Sequence, residues 1–150
     1  MYRLAFRFCG SREDAEDLVQ DVLIKLYSRL DELRGIDNLQ SWLATVLYRQ
    51  FVDRMRHQNR SPVQLTEDGE TFPVTMDNIA LQPETQILNS EAVDRVEQAL
   101  FQLNDDQRIL VVLHDVEGYK LAEIQQMLDI PIGTLKSRLH RAREQLKKLL

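Results

Sequence analysis

Apolar residues recur along this chain at helical spacing almost throughout, and no stretch alternates with the two-residue period of a strand. Met1 to Cys9 reads as the last turns of a helix, with Leu4, Ala5 and Phe8 on one side and Gly10 as its stop. Ser11 is placed to cap a second helix running to about Leu30, with Asp14 in the first turn where negative charge is favoured. Its core face reads Ala15, Leu18, Val19, Val22, Leu26 and Leu30, widened by Leu23 and Tyr27. Residues 33–38 form a loop around Gly35. Asp37 and Gln40 have capping-box spacing for a helix from Leu39 to about Arg56, packed through Leu43, Val46, Leu47 and Phe51.

Periodicity then stops. From 61 to 82 the chain carries Pro62, Gly69 and Pro73, many acids and no Lys or Arg, which is the composition of a linker. Helices resume after Pro83, first with Val93, Val96, Ala99, Leu100 and Leu103 on one face. Asn104 and Gln107 repeat the capping-box spacing before Ile109, Leu110, Leu113 and Val116, and Gly118 ends that helix. Leu121–Leu128, with Ile124, Met127 and Leu128 inward, leads through the turn at residues 129–133 to a final helix from about Thr134. There Leu135, Leu139, Ala142 and Leu146 share a face. The expected fold is all-α, with two small helical domains (1–60 and 83–150) joined by a flexible acidic linker (61–82). The second is a four-helix domain ending in a helix-turn-helix.

Charge changes the picture because of where it lies. The chain has a net charge of −5, yet the final helix has an excess of five positive charges from Thr134 onward. Residues 45–60 carry an excess of three, and residues 61–107 a deficit of nine. Two basic patches separated by an acidic middle fit two contact points on a polyanion. A helix-turn-helix with a basic second helix is a common way into a DNA major groove. A plain amphipathic helix with a solvated charged face has the same period. Just before and within the 45–60 patch, Trp42 and Tyr48 interleave with Arg49, Arg54 and Arg56. They either stack on unpaired bases while the arginines hold phosphates, or simply pack in a helical core. On the second helix, Asp17, Gln20, Asp21, Ile24 and Ser28 form a stripe opposite the core. It reads as a partner-binding face or as ordinary exposed surface.

The single cysteine, Cys9, rules out an internal disulfide and fits a reducing cytoplasm. With His57, His114 and His140 scattered, no metal site or other cofactor is expected. No phosphate loop, catalytic triad or pair of His at ligand spacing is present, so an enzyme is not expected. No apolar run is long enough to span a membrane, and membrane contact is not expected.

The run Glu13-Asp14-Ala15-Glu16-Asp17-Leu18-Val19-Gln20-Asp21-Val22 resembles the polymerase-binding helix of bacterial sigma factors, most closely the extracytoplasmic-function (ECF) branch. Ser41-Trp42-Leu43, with Asp53 and Arg56, resembles that branch's promoter-melting helix. Residues 103–150 resemble its C-terminal DNA-binding domain, most sharply Pro131-Ile132-Gly133-Thr134-Leu135-Lys136-Ser137-Arg138-Leu139-His140-Arg141-Ala142-Arg143. The resemblance implies a transcription-initiation factor, monomeric when free. Asp17, Gln20, Asp21 and Ile24 would grip the clamp of the largest subunit of core RNA polymerase. The 35–40 loop and the following helix, with Trp42, Tyr48, Arg49, Arg54 and Arg56, would hold the opened −10 strand of promoter DNA. Thr134, Lys136, Ser137, Arg138, His140 and Arg141 would face the −35 duplex. It further implies an anti-sigma protein as a partner, and an acidic linker that follows the polymerase's RNA-exit path. A stand-alone helix-turn-helix regulator and a sigma mimic that titrates an anti-sigma protein are the competing readings.

The chain departs from the family pattern at several positions. Arg49 stands where relatives often have Asn, Gln125 where a small residue packs the helix-turn-helix, Lys120 where a Ser or Thr often caps, and Asp129 where Gly usually turns the chain. Relative to its kin the chain starts about one helix late, so either its true start lies upstream or its promoter-melting domain lacks a first helix.

Overall fold

The computed structural model describes residues 1–60 and 87–150, and the linker read over 61–82 lies outside the described residues. Every element in the described residues is helical. They run α1 (Tyr2–Cys9), α2 (Arg12–Tyr27), α3 (Leu30–Leu33), α4 (Leu39–Arg60), α5 (Ile87–Phe101), α6 (Asp105–Val111), a π-helical turn (Val112–Val116), α7 (Leu121–Leu128) and α8 (Ile132–Leu149).

Local chemistry sets most boundaries. Gly10 ends α1 in the left-handed conformation at φ 74°, its N–H donating to the Phe6 carbonyl at 2.8 Å. Ser11 Oγ then accepts from the Asp14 N–H and starts α2. The expected run to Leu30 stops at Tyr27, and a short α3 follows. The cap of α4 is Asn38, not Asp37: Asn38 Oδ1 accepts from the Ser41 N–H at 3.0 Å. Asn104 Oδ1 accepts from the Gln107 N–H at 2.9 Å, but Gln107 does not reach back, and its Oε1 is buried without a partner. Beyond α6 the helix widens, with the Glu117 N–H donating to the Val112 carbonyl five residues back. At the start of α7 the Lys120 N–H donates to Glu123 Oε2 at 2.7 Å, the half of a capping box that does not require Ser or Thr at 120. Asp129 takes the left-handed turn at φ 55°, and α8 begins two residues earlier than expected, at Ile132. Gln125 is exposed and not packed in the helix-turn-helix.

α1 is the centre of the packing. It lies against α2 and α4 of its own half and against α5, α6 and the π-helical turn of the other. Leu4, Ala5, Phe8, Ala15, Leu18, Val22, Leu47 and Phe51 join Leu100, Leu103, Ile109, Leu110, Leu113, Ile124, Leu135 and Leu139 in one continuous core. The two helical groups read from the sequence therefore share an interface. Phe6 meets Phe101 edge-on, ring centroids 5.7 Å apart. Arg7 pairs with Glu117 at 3.2 Å and Glu97 at 3.8 Å. Arg108, buried, donates to the Phe8 carbonyl at 2.7 Å and lies over the Phe101 ring.

Some of the apolar arc does not reach this core. Leu23, Tyr27 and Leu30, read as core, are exposed, Tyr27 by 80%. α1 and α4 cover only one side of α2, so its apolar arc is wider than its neighbours. Val93, Val96 and Val116 are also exposed, while Ala99, Leu100 and Leu113 of the same helical stretches are buried.

A Cβ at Gly10 would lie 3.2 Å from the Phe101 ring, in a backbone conformation that L side chains resist. Gly10→Ala is therefore expected to lower stability by about 1–2 kcal/mol, read as a reduced urea midpoint. Burial, reinforced by nearby Asp14, pushes the Cys9 thiol from 9.0 up to about 11. The folded state thus favours the neutral thiol. That contribution is complete below pH 9.0 and is lost as pH rises toward about 11. Cys9 in the folded chain is expected to react with Ellman's reagent at mildly alkaline pH far more slowly than in urea.

Candidate nucleic-acid and partner interfaces

The α2 stripe is built by the same periodicity that buries Ala15, Leu18, Val22 and Leu26, which turns Asp17, Gln20, Asp21 and Ile24 away from α1. Ile24 is 72% exposed, and exposed Leu23 and Tyr27 continue the apolar surface beside it. This extension was hidden in the sequence, where both residues fit the core arc. The acids are not wholly free. Arg54 of α4 reaches Asp17 at 3.5 Å and Asp21 at 4.0 Å, and Gln50 donates to Asp21 at 3.4 Å. The stripe is thus an apolar patch bordered by carboxylates that α4 holds in place.

Arg54 is consequently spoken for. It is half-buried, donates also to the Asp14 carbonyl at 3.3 Å, and faces α2 away from the basic patch it was assigned to. Arg49 and Arg56 are exposed on α4. Trp42 is half-buried and packed against the core. Tyr48 is half-buried in a different way: it faces the second half of the chain, lining a small pocket with Asp106, Ile109, Leu128, Ile130 and Arg138. Burial first, then the Asp106 carboxylate, pushes its phenol above the ordinary value.

On α8 the inward Leu135, Leu139 and Ala142 leave Lys136, Ser137, His140 and Arg141 exposed together. The Ser137 hydroxyl donates to the Thr134 carbonyl at 3.0 Å, and Arg141 Nε lies 3.4 Å from the Ser137 carbonyl. Arg141 is therefore held along the helix while its outer nitrogens remain available. Thr134 and Arg138 are half-buried. Arg138 turns back to α6 and pairs with Asp106 at 3.0 Å, so it is not part of the outward face. Arg143 grips Asp115 of the π-helical turn bidentately, which raises its pKa and ties α8 to that turn.

Of the expected nucleic-acid residues, the structure groups Lys136, Ser137, His140 and Arg141 on one surface and leaves Arg49 and Arg56 exposed on another. It directs Arg54 and Arg138 inward, to carboxylates. Arg7 and Arg108, which join the two halves, have no role visible in periodicity. A charged residue directly against the apolar run 109–113 is the only signal Arg108 offers. Among the described residues, no group of three His, Cys, Asp or Glu side chains could hold a metal ion. None of their helices is long and apolar enough to cross a membrane.

Comparison with known proteins identifies the family. Residues 1–61 match the sigma-70 region 2 family and residues 94–146 match sigma-70, region 4. The ECF RNA polymerase sigma factor SigW of Bacillus subtilis is 30% identical over 156 residues, an alignment covering 100% of this chain and 82% of that protein. SigM of Mycobacterium tuberculosis, also an ECF sigma factor, is 35% identical over 150 residues, covering 100% of this chain and 71% of that protein. Among solved structures, the sigma factor RpoE from Bartonella quintana, crystallised with the anti-sigma factor NepR, matches with a TM-score of 0.70 and 30% identity. The match covers 99% of this chain and 88% of that one. The chain belongs to the ECF branch of the RNA polymerase sigma factors.

Proposed function

We infer that this chain binds core RNA polymerase and directs it to promoters by contacting −10 and −35 elements, with the polymerase supplying the chemistry. The observation that carries this reading is the pairing, within one chain, of two outward faces with different chemistry. One is the apolar, acid-bordered patch of α2. The other is the basic face of α8 at the end of a helix-turn-helix.

The α2 patch suits a protein partner. Ile24, with Leu23 and Tyr27, offers desolvation energy at its centre, and Asp17, Gln20 and Asp21 offer polar partners at its rim. The clamp of the largest polymerase subunit is the assigned partner. Arg54 acts on this side of the molecule, fixing the carboxylates' orientation, and its −10 assignment is withdrawn. Trp42, Tyr48, Arg49 and Arg56 remain the −10 set, with stacking on a flipped base contributing about 1–3 kcal/mol. Lys136, Ser137, His140 and Arg141 are the −35 set, supported at the start of α8 by Thr134. Arg141, already aligned along the helix, is the natural reader of a guanine edge. Arg138 positions α8 on α6 and is not assigned to bases. The similarity to a sigma factor solved with an anti-sigma protein supports a protein of that kind as a further partner. A reducing cytoplasm is the compartment in which the lone, protonated Cys9 and these partners are compatible.

Run-off transcription with purified core polymerase tests the whole reading. A promoter-specific transcript is expected, and its absence from every genomic fragment supplied would sink it. A stand-alone regulator would instead bind a specific duplex tightly without polymerase. Ile24→Asp, at an exposed position with no folding role, is expected to abolish capture by core polymerase in a pull-down while leaving the helical circular dichroism unchanged. Arg141→Ala is expected to weaken −35 recognition by about 1–3 kcal/mol in a promoter-competition assay, with core binding unaffected.

A further inference from the structure

α8 packs on the second half of the chain through a stripe of aliphatic side chains, Leu135, Leu139, Ala142 and Leu146. Such a stripe decides which side of a helix faces inward. It resists a small roll about the helix axis only weakly, because burial of apolar surface has no direction. Two arginines supply the direction. At about 100° per residue, Arg138 lies about 70° to one side of the stripe and Arg143 about 70° to the other. Arg138 is tied to Asp106 at the start of α6, at 3.0 Å. Arg143 is tied to Asp115 in the π-helical turn through two of its nitrogens. A roll of α8 in either direction stretches one pair or the other.

The π-helical turn has a part in this. Asp106 and Asp115 are nine residues apart, and on a uniform α-helix they would point about 180° from one another. Between them the helix widens at Val112–Val116, where the Glu117 N–H reaches back five residues to the Val112 carbonyl. A wider turn rotates less per residue, so Asp115 is brought round toward the side that carries α8. The two acids brace α8 at separated points of one helical stretch. All four side chains keep roughly a third or more of their surface exposed, and ion pairs at such exposure add little to stability. What they contribute is orientation, most of all the bidentate grip on Arg143.

Opposite the stripe, about 160° round the helix, stand Lys136, Ser137, His140 and Arg141. Contacts to base edges depend on angle, since a bidentate pair needs both of its hydrogen bonds in line. Contacts to phosphate carry no sequence information and need only a nearby positive charge, so they tolerate a roll. We propose that Asp106 and Asp115 are positioning residues for DNA reading: through Arg138 and Arg143 they fix the roll of α8, and with it the aim of the outward quartet at base edges. This rests on the use of α8 on duplex DNA proposed above, and it adds two residues outside α8 to the determinants of sequence preference.

The test uses the full chain with core polymerase present. A duplex is enriched from a randomised pool on the unaltered chain. Its binding is then compared, by fluorescence anisotropy, with that of a scrambled duplex of the same composition. Asp115→Asn is expected to lower the ratio of the two affinities about tenfold, the discrimination of about one base contact, while the scrambled duplex binds no more weakly. Asp106→Asn is expected to lower the ratio in the same direction. Asp115→Arg combined with Arg143→Asp rebuilds the brace with its charges exchanged and is expected to restore the ratio. An unchanged ratio in either single variant, an equal weakening of both duplexes, or an exchange that restores nothing would each overturn the proposal. So would failure of the unaltered chain to enrich any duplex. If Asp115→Asn loses its helical circular dichroism, Arg143→Gln removes the same brace from its other end. Loss of helix in both would show the pair to be a requirement of folding and would equally overturn the positioning role. Failure of the promoter reading shows separately, as absent run-off transcription while the duplex ratios behave as stated.

Discussion

An eight-residue helix cannot hold itself together in water, and α1 of this protein is that short. It persists because it is covered on nearly every side and because its terminal carbonyls are answered. Gly10 turns the chain back to satisfy Phe6, and Arg108, from the far half, satisfies Phe8. Everything packed on α1 inherits this dependence. α2 and α4 are oriented by Leu4, Ala5 and Phe8 from one side, while α5 and α6 lean on Phe6, Arg7 and the Phe8 carbonyl from the other. The outward faces of α2 and α8 take their relative positions from a single helix that belongs to neither.

The charged residues follow one logic. Arg54 and Arg138 sit on helices whose exposed faces are basic, and both are drawn inward by carboxylates on a neighbouring helix, Asp17 and Asp21 in one case and Asp106 in the other. Each is tied to another helix of the chain. Arg54 sets the acids that border the α2 patch, and Arg138 sets the pitch of α8 on α6. Arg143 does the same against Asp115. What remains outward is a smaller set, Lys136, Ser137, His140 and Arg141, with Arg141 lining an open groove beside Asp105 and Asp106.

How much of this could be read from the chain alone depends on the range of the interaction concerned. Ser11, Asn104, Gly10, Gly118 and Asp129 stop or start helices through groups within a few residues of themselves, and each was legible. Asn38 displaced Asp37 by one position because either side chain can cap, and only backbone geometry chooses. The outward quartet on α8 was legible because it lies opposite Leu135, Leu139 and Ala142, whose burial periodicity does predict. Leu23, Tyr27 and Leu30 were not, since periodicity gives a direction on a helix and not the width of what covers it. The pairings of Arg54, Arg138 and Arg108 were not legible for a stricter reason. Their partners lie on other helices, and no local pattern carries that pairing.

The distance in sequence between Phe8 and Arg108 also has a meaning in time. A ribosome adding 5–20 residues per second needs about 5–20 s to make the 100 residues that separate them. For about the last half of that interval, once residue 60 has been added, the first half exists with Phe8 unanswered by Arg108 and the faces of Phe6 and Tyr48 uncovered. Each newly made molecule therefore passes through the uncovered form before it can reach the covered one. A binding partner present at synthesis meets it before its own second half does.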